Sequence, residues 1–350
     1  MSQARVLSTY GHDVRVCAAS APGDEPETGD GVELVTARAT LLRGAPAPLF
    51  YSLAMARTTA RLVKWSQVVH VSLARELVPL TALIVALAFR KKVILQPHGM
   101  LTVGRGRGAF IDAAIRPLAR RAALVIALTA REQHQLEQWF RSKHPPIVVA
   151  GNPPLPGLSR STADLSSTGC EVLFLGRLHP RKRVADFIAA ASVVSTRNTR
   201  VNFSIVGPDG GDLSVALRGA ESFDSISYEG AIPLSAVADR IARCSVFVLP
   251  SRDEPWGNTL VASLALGIPV VVAESAALSP LVREFSAGVI YRDEDTDALA
   301  QAIETVVADR TFYSQGARLL AAGPLSEETL SRQLIDAYSR VSAPLVEPHE

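Results

Sequence analysis

The stretch from Cys244 to Glu274, CSVFVLPSRDEPWGNTLVASLALGIPVVVAE, limits the possible folds more than any other part of this chain. Val246 to Leu249 is a continuous apolar run of strand length, and Pro250 to Asp253 ends it with turn residues. Asn258 to Leu266 then reads as a helix, with Asn258 as its N-cap, Gly267 as its stop and Pro269 preventing continuation. Ile268 to Ala273 is the next buried strand. The right-handed crossover of such a βαβ unit places its first loop at the carboxyl edge of a parallel sheet. Ligands of open α/β sheets bind at that edge, so the acid of this loop, Glu254, is positioned to face one.

The same alternation runs through the chain. Strands are expected at 14–18, 32–36, 68–72, 93–96, 122–128 and 147–149, with helices near 53–63 and 77–89 and a Thr129 to Glu132 capping box opening a helix through Trp139. Met1 to Tyr10 reads as a short mixed segment. Gly151-Asn152-Pro153-Pro154-Leu155-Pro156-Gly157 is the expected hinge. A second series begins at Glu171, with strands at 172–175, 201–206, 226–228, 246–249, 268–273 and 288–291. Helices are expected at 184–194, 234–242, 258–266, 276–284, 299–307 and 326–341. The expectation is two α/β domains with parallel sheets.

At 350 residues the chain is long enough for two cores, and 48% hydrophobic against 20% charged residues excludes disorder. A net charge of +2 gives no argument for nucleic acid. Cys17, Cys170 and Cys244 lack ligand spacing and read as reduced core thiols of a cytoplasmic protein. The longest apolar run, Leu77 to Phe89, is too short for the roughly 18 to 20 residues of a bilayer span. It reads as a buried helix of the first domain or as an interfacial contact.

Arg177, Arg181, Lys182 and Arg183 precede the helix expected at Val184. Cations oppose the dipole there, by about 0.3 to 1 kcal/mol each at exposed sites, and an anion would offset that. Arginine forks and a lysine point charge suit a diphosphate; the alternative is a solvated basic turn. Gly207-Pro208-Asp209-Gly210-Gly211 lets backbone approach a ligand. No metal-ligand spacing, GxSxG elbow or Walker lysine loop occurs. His98 sits at the carboxyl end of a buried strand. Gly104 to Gly108 (GRGRG) is not expected to be regular structure. Its Arg105 and Arg107, with Arg116, Arg120 and Arg121, form either a solvated face or a surface for an anionic acceptor or lipid head groups.

Phe174-Leu-Gly-Arg-Leu-His-Pro-Arg-Lys-Arg183, Ile205-Val-Gly-Pro-Asp-Gly210, Tyr228-Glu-Gly230 and Leu249-Pro-Ser-Arg-Asp-Glu-Pro-Trp-Gly-Asn258 resemble the successive donor-domain motifs of the group 1 (family 4) retaining glycosyltransferases. Pro97-His-Gly-Met-Leu101 resembles their acceptor-domain histidine segment. The resemblance implies a GT-B fold, two Rossmann-like domains facing across a cleft. An acceptor-side domain would span 1–153 with a C-terminal helix near 330–350, and a donor domain 154–329. It also implies a hexose donated from a nucleotide diphosphate sugar to a glycan or lipid-linked glycan of a bacterial envelope, with retention and without a metal or other cofactor. By matching position, Arg177 and Lys182 would hold the diphosphate, and Glu254 would face the sugar. Gly176, Gly207 and the amides of Gly257, Asn258 and Thr259 would lie near the donor, and His98 would meet the sugar from the other domain. The implied place is the cytoplasm, with peripheral contact at the inner membrane face through the five arginines.

Two departures accompany the resemblance. The family's second glutamate, eight positions after the first, is Ala262 here. Loss of such a charged hydrogen bond should cost about 1.5 to 3 kcal/mol of donor affinity. The family's first strand and glycine-rich loop have no counterpart, so the first domain is expected to lack its usual first strand, through a late translation start or a truncated enzyme. These departures motivate an alternative, a degenerate relative that binds a partner or nucleotide sugar without turnover. A nucleotide-sugar epimerase of the same architecture is disfavoured by the basic loop together with the EPWGN segment.

Overall fold

Two α/β units, Met1–Pro153 with Leu330–Glu350 and Pro154–Thr329, make up the computed structural model, which describes residues 2–20, 31–38, 40–41, 50–51, 53–102, 107–154 and 169–342. In the first, α1 (Ser2–Thr9) is followed by β1 (Arg15–Ser20), β2 (Glu33–Arg38), the short strands β3 (Thr40–Leu41) and β4 (Phe50–Tyr51), α2 (Leu53–Trp65), β5 (Val68–Val71) and α3 (Leu77–Ala88). Then come β6 (Lys92–Leu95), α4 (Arg107–Ala119), β7 (Leu124–Ala127), α5 (Ala130–Phe140) and β8 (Ile147–Val149). β5, β6, β7 and β8 form a parallel sheet in sequence order, and β1 and β2 pair in parallel separately.

The opening segment is not mixed but helical. Eight residues are too few for a stable isolated helix, so packing must supply the drive. Val6 and Leu7 enter a core with Ile94, Leu124 and Ile126 of the sheet and Leu334, Ala337 and Tyr338 near the C-terminus. Helix α3 buries Leu83, Ala86 and Leu87 and leaves Ile84 exposed, as is Phe89 at its C-cap. Arg107 and Gly108 belong to α4, which corrects the expectation that the whole GRGRG stretch is irregular. Gly104 to Gly106 lie outside the described residues, as do Leu155 to Gly157 of the expected hinge.

The second unit runs β9 (Cys170–Leu175), α6 (Val184–Arg197), β10 (Val201–Val206), α7 (Leu213–Ser222), β11 (Ile226–Tyr228), α8 (Val237–Ala242) and β12 (Val246–Leu249). It continues with α9 (Asn258–Ala265), β13 (Val270–Ala273), α10 (Ser279–Glu284), β14 (Gly288–Tyr291), α11 (Thr296–Ala308) and α12 (Arg310–Ala322), and is followed by α13 (Glu327–Ser339), which from Leu330 onward belongs to the first unit. Its six parallel strands lie in the order β11-β10-β9-β12-β13-β14. Val172, Phe174, Val246 and Val248 point into a core shared with α6 and α11, while the alternate residues Leu173, Phe247 and Leu249 are also buried. Both faces are covered, which is why these strands read as unbroken apolar runs.

Helices α7 and α12 have no counterpart in the sequence-based expectation. Each has an interior glycine, which lowers helix propensity. A Cβ on Gly219 would stand 2.8 Å from Ile188 Cδ1, and one on Gly316 would stand 2.3 Å from the Phe285 carbonyl oxygen. These glycines therefore permit close packing and do not end the helices.

His70 of β5 faces Tyr338 of α13, with Nδ1 2.7 Å from the hydroxyl. Burial, with His98 nearby, pushes the His70 pKa down from 6.5 to about 3. At pH 7 the ring is neutral whether the chain is folded or unfolded. Below 6.5 the unfolded chain takes up a proton that the folded chain refuses, so stability falls as pH falls. We expect a loss on the order of 3 kcal/mol from this group by roughly pH 4. Thermal melts from pH 7 to pH 4 on wild type and His70→Asn check this, because the variant should show the shallower decline.

Candidate active site

In the second unit β9 and β12 are neighbours, and the strand order reverses between them. Helix α6 follows β9 and packs with α7 and α11, whereas α9 follows β12 and packs with α8 and α12. The two connections therefore leave toward opposite faces and open a crevice at the carboxyl edge, the usual ligand position in open α/β sheets.

The loop after β9 is locked to its neighbour. Leu178 donates to Pro208 O at 2.9 Å and accepts from the amides of Gly210 (3.0 Å) and Asp212 (2.9 Å). Gly207 has φ 148°, and a Cβ there would lie 1.9 Å from Gly176 O, so a side chain would separate the two loops. A Cβ on Gly210 would lie 2.7 Å from Arg177 Cγ, which places the Arg177 stem over the glycine. Pro180–Lys182 forms a 3-10 turn whose Arg181 amide donates to His179 Nδ1 at 3.1 Å.

The loop after β12 meets this turn. Arg252 N donates to Arg181 O at 3.0 Å, and Arg181 Nη2 donates to Asp253 O at 3.4 Å. Lys182 Nζ forms an ion pair with Glu254 Oε2; the side chains are 27% and 9% exposed. The Glu254 backbone is also held, its carbonyl accepting from Ala277 N at 2.8 Å. Arg183 instead pairs with Asp186 (2.5 Å) and Glu294 (3.2 Å), and Arg252 meets the same Glu294 at 3.3 Å. Arg183 thus braces the loop, while Arg177 and Arg181 remain exposed.

Gly257, with φ 77°, takes the cap position that Asn258 was expected to hold, and Asn258 and Thr259 open α9. Their amides lie in the first turn, where the dipole favours anions. Ala262 is fully buried in the same helix. Ser251 Oγ and Trp256 Nε1 are buried beside this loop without a hydrogen-bond partner among the described residues. Both lie within the Leu249 to Asn258 motif, but the sequence did not single out either as a site residue. Among the described residues no three His, Cys, Asp or Glu side chains gather as a metal site.

His98 belongs to the first unit. Its φ is 52° and that of Gly99 is 77°, and Met100 N donates to Pro97 O at 2.9 Å, closing a tight turn with two left-handed residues. A non-glycine residue in that conformation costs roughly 1 to 2 kcal/mol. Nε2 lies 3.4 Å from Ser72 Oγ, and burial pushes the pKa down to about 4, so the ring is neutral at pH 7.

Among the described side chains of the arginine cluster, two have structural employment. Arg116 Nε donates to Trp139 O at 2.7 Å, and Arg120 Nη2 donates to Phe140 O at 2.7 Å, so both satisfy carbonyls at the end of α5. Arg121 is exposed, and Arg105 lies outside the described residues.

Family models described as "Glycosyl transferases group 1" and "Glycosyl transferase 4-like domain" match residues 169–309 and 1–153. The chain belongs to the group 1 family of GT-B glycosyltransferases. A D-inositol 3-phosphate glycosyltransferase of Geodermatophilus obscurus is 29% identical over 179 residues, 48% of this chain and 40% of that relative. One from Nocardiopsis dassonvillei is 28% identical over 257 residues, 66% of this chain and 59% of the relative. The matches thus span about half the length of these curated relatives. Among solved structures, sucrose-phosphate synthase of Thermosynechococcus elongatus superposes with TM-score 0.73 at 18% identity, covering 97% of this chain and 91% of that one. Anabaena HepE in complex with UDP-glucose gives TM-score 0.70 at 18% identity over 89% and 86%. These likenesses establish the fold.

Removal of Lys182 would leave a carboxylate that is only 9% exposed without its counter-charge. We expect Lys182→Ala to cost about 1 to 3 kcal/mol, with Lys182→Ala/Glu254→Gln recovering most of it. Urea unfolding of wild type, Lys182→Ala, Glu254→Gln and the double variant measures this, and additive losses would show that the pair carries no coupling.

Proposed function

We propose that this chain is a retaining, metal-independent glycosyltransferase moving a hexose from a nucleotide diphosphate sugar to a glycan or lipid-linked glycan. The supporting observation is the convergence of Arg177, Lys182, Glu254 and the α9 amides at the reversal point between β9 and β12. Residues 154–329 serve as the donor domain and 1–153 with 330–350 as the acceptor-side domain. Arg177 and Lys182 hold the diphosphate and stabilise charge on the leaving phosphate, which replaces a metal in that role. Glu254 faces the sugar hydroxyls, with Gly176, Gly207, Gly257, Asn258 and Thr259 providing close backbone approach. His98, as a neutral imidazole, contacts the sugar. The acceptor attacks on the face that the phosphate leaves, and a phosphate oxygen takes its proton. One acid suffices, unlike the two carboxylates of glycoside hydrolases.

The test is a thermal-shift and calorimetric titration with nucleoside diphosphates and their sugars. One nucleotide sugar should raise the midpoint. Arg177→Ala, which leaves the Lys182 pair intact, should weaken it about tenfold or more. A cooperatively melting protein that answers to none of the panel would count against the proposal.

For the acceptor side we propose peripheral contact with an anionic membrane at the cytoplasmic face. Among the described residues no helix is long and apolar enough to cross a bilayer. Helix α4 exposes Phe110 (83%) and Ile111 (41%), and exposed Arg120 and Arg121 follow it. Anionic liposomes should retain the protein at low salt and release part of it at high salt, and Phe110→Ser should lower retention. Equal retention on neutral vesicles would remove the electrostatic component.

A further inference from the structure

The left-handed turn at His98 is held by two side chains from elsewhere in the first unit, Glu132 and Arg75. Glu132, in the first turn of α5, is 3% exposed. Its Oε1 accepts from Gly99 N at 2.5 Å and its Oε2 from Leu128 N at 2.7 Å. Thr129 Oγ1 accepts from Glu132 N at 3.2 Å, as in a capping box. The reciprocal half of that box is diverted: the carboxylate bonds the Leu128 amide and reaches across to the turn. On the other side, Arg75 Nη1 donates to Met100 O at 2.9 Å and Nη2 to Thr102 O at 2.6 Å. Asp112 of α4, 1% exposed, fixes that guanidinium through Nε (2.8 Å) and Nη2 (3.0 Å).

We propose that Glu132 is a positioning residue for His98, clamping the turn from one side while Arg75, oriented by Asp112, clamps it from the other. This rests on the proposal that His98 takes part in sugar transfer. A left-handed histidine followed by a left-handed glycine is not the backbone's own preference, so the surroundings must impose it. The clamp needs an acceptor at both ends of the Glu132 side chain, because it receives two amide N–H groups. A carboxylate meets both. A carboxamide turns its NH2 toward one of them and releases it. Glu132→Gln keeps size and shape and breaks one bond of the clamp.

The experiment compares wild type, Glu132→Gln, Arg75→Lys, His98→Ala and Glu132→Gln/His98→Ala. Turnover is followed as nucleoside diphosphate release from UDP-glucose, or from the sugar nucleotide giving the largest thermal shift in the panel above. Displacing a contact group by about 1 Å costs on the order of a hundredfold. Glu132→Gln should therefore lower kcat about 10- to 100-fold and leave the donor KM within about threefold. Arg75→Lys keeps the charge facing Asp112 but cannot bridge both carbonyls, and it should give the same kcat-only loss. The double variant should be no slower than His98→Ala, since both act through one ring.

A second readout needs no turnover. In protein labelled with 15N-histidine, the ring signals that vanish in His98→Ala should be single in wild type and broadened or doubled in Glu132→Gln. A single unshifted pair in Glu132→Gln overturns the clamp, as does full turnover in that variant when His98→Ala is disabled. Multiplicative losses in the double variant would place Glu132's effect elsewhere and also overturn it. Full turnover in His98→Ala refutes the role of His98 itself, a result distinct from failure of the clamp.

Discussion

Strands β9 and β12 lie side by side while the helices that follow them leave toward opposite faces of the sheet. Neither crossover then covers the carboxyl ends of these two strands, and the loops that border the opening must supply whatever chemistry occurs there. The most chemically distinctive residues of the second unit fall on those two loops. Their geometry depends on the sheet behind them, whose strands are buried on both faces and cannot shift register without exposing apolar side chains or forcing overlap.

Charge at this edge is arranged with an internal balance. Four cations precede α6, where the helix dipole disfavours them. Two are matched by acids: Lys182 by Glu254, and Arg183 by Asp186 and Glu294. Arg177 and Arg181 are left exposed, so the edge keeps a positive character without placing an unpaired charge in the interior. The same Lys182 and Glu254 pair ties the two loops together, so a group suited to phosphate and a group suited to sugar hydroxyls share one fixed separation. On the first unit the corresponding economy is at His98, where Glu132 and Arg75 meet backbone groups that a left-handed turn leaves exposed.

Much of this was legible in the sequence because apolar runs in doubly covered sheets are long and uninterrupted. The Val246–Leu249 strand, the loop with Glu254 and the helix ending near Gly267 are local features, each written by contiguous residues. The short helix Ser2–Thr9 was not legible, since its stability comes from Leu334 and Tyr338, more than 300 positions away. Gly219 and Gly316 lower the local helix propensity, yet the close packing of α7 and α12 requires them. The arginine cluster shows the same limit, because Arg116 and Arg120 complete the end of α5 and only their distance to Trp139 and Phe140 reveals it.

The sequence by itself determined the alternation of strand and helix, the two series, and the placing of basic and acidic loops after particular strands. These follow from hydrophobic period and turn chemistry, which act over a few residues. Only the tertiary structure decided which loops become neighbours and which charges find partners. Lys182 and Glu254 are 72 positions apart, and Glu132 and Gly99 are 33 apart. Contacts at such separations depend on strand order and helix packing, which no local pattern encodes.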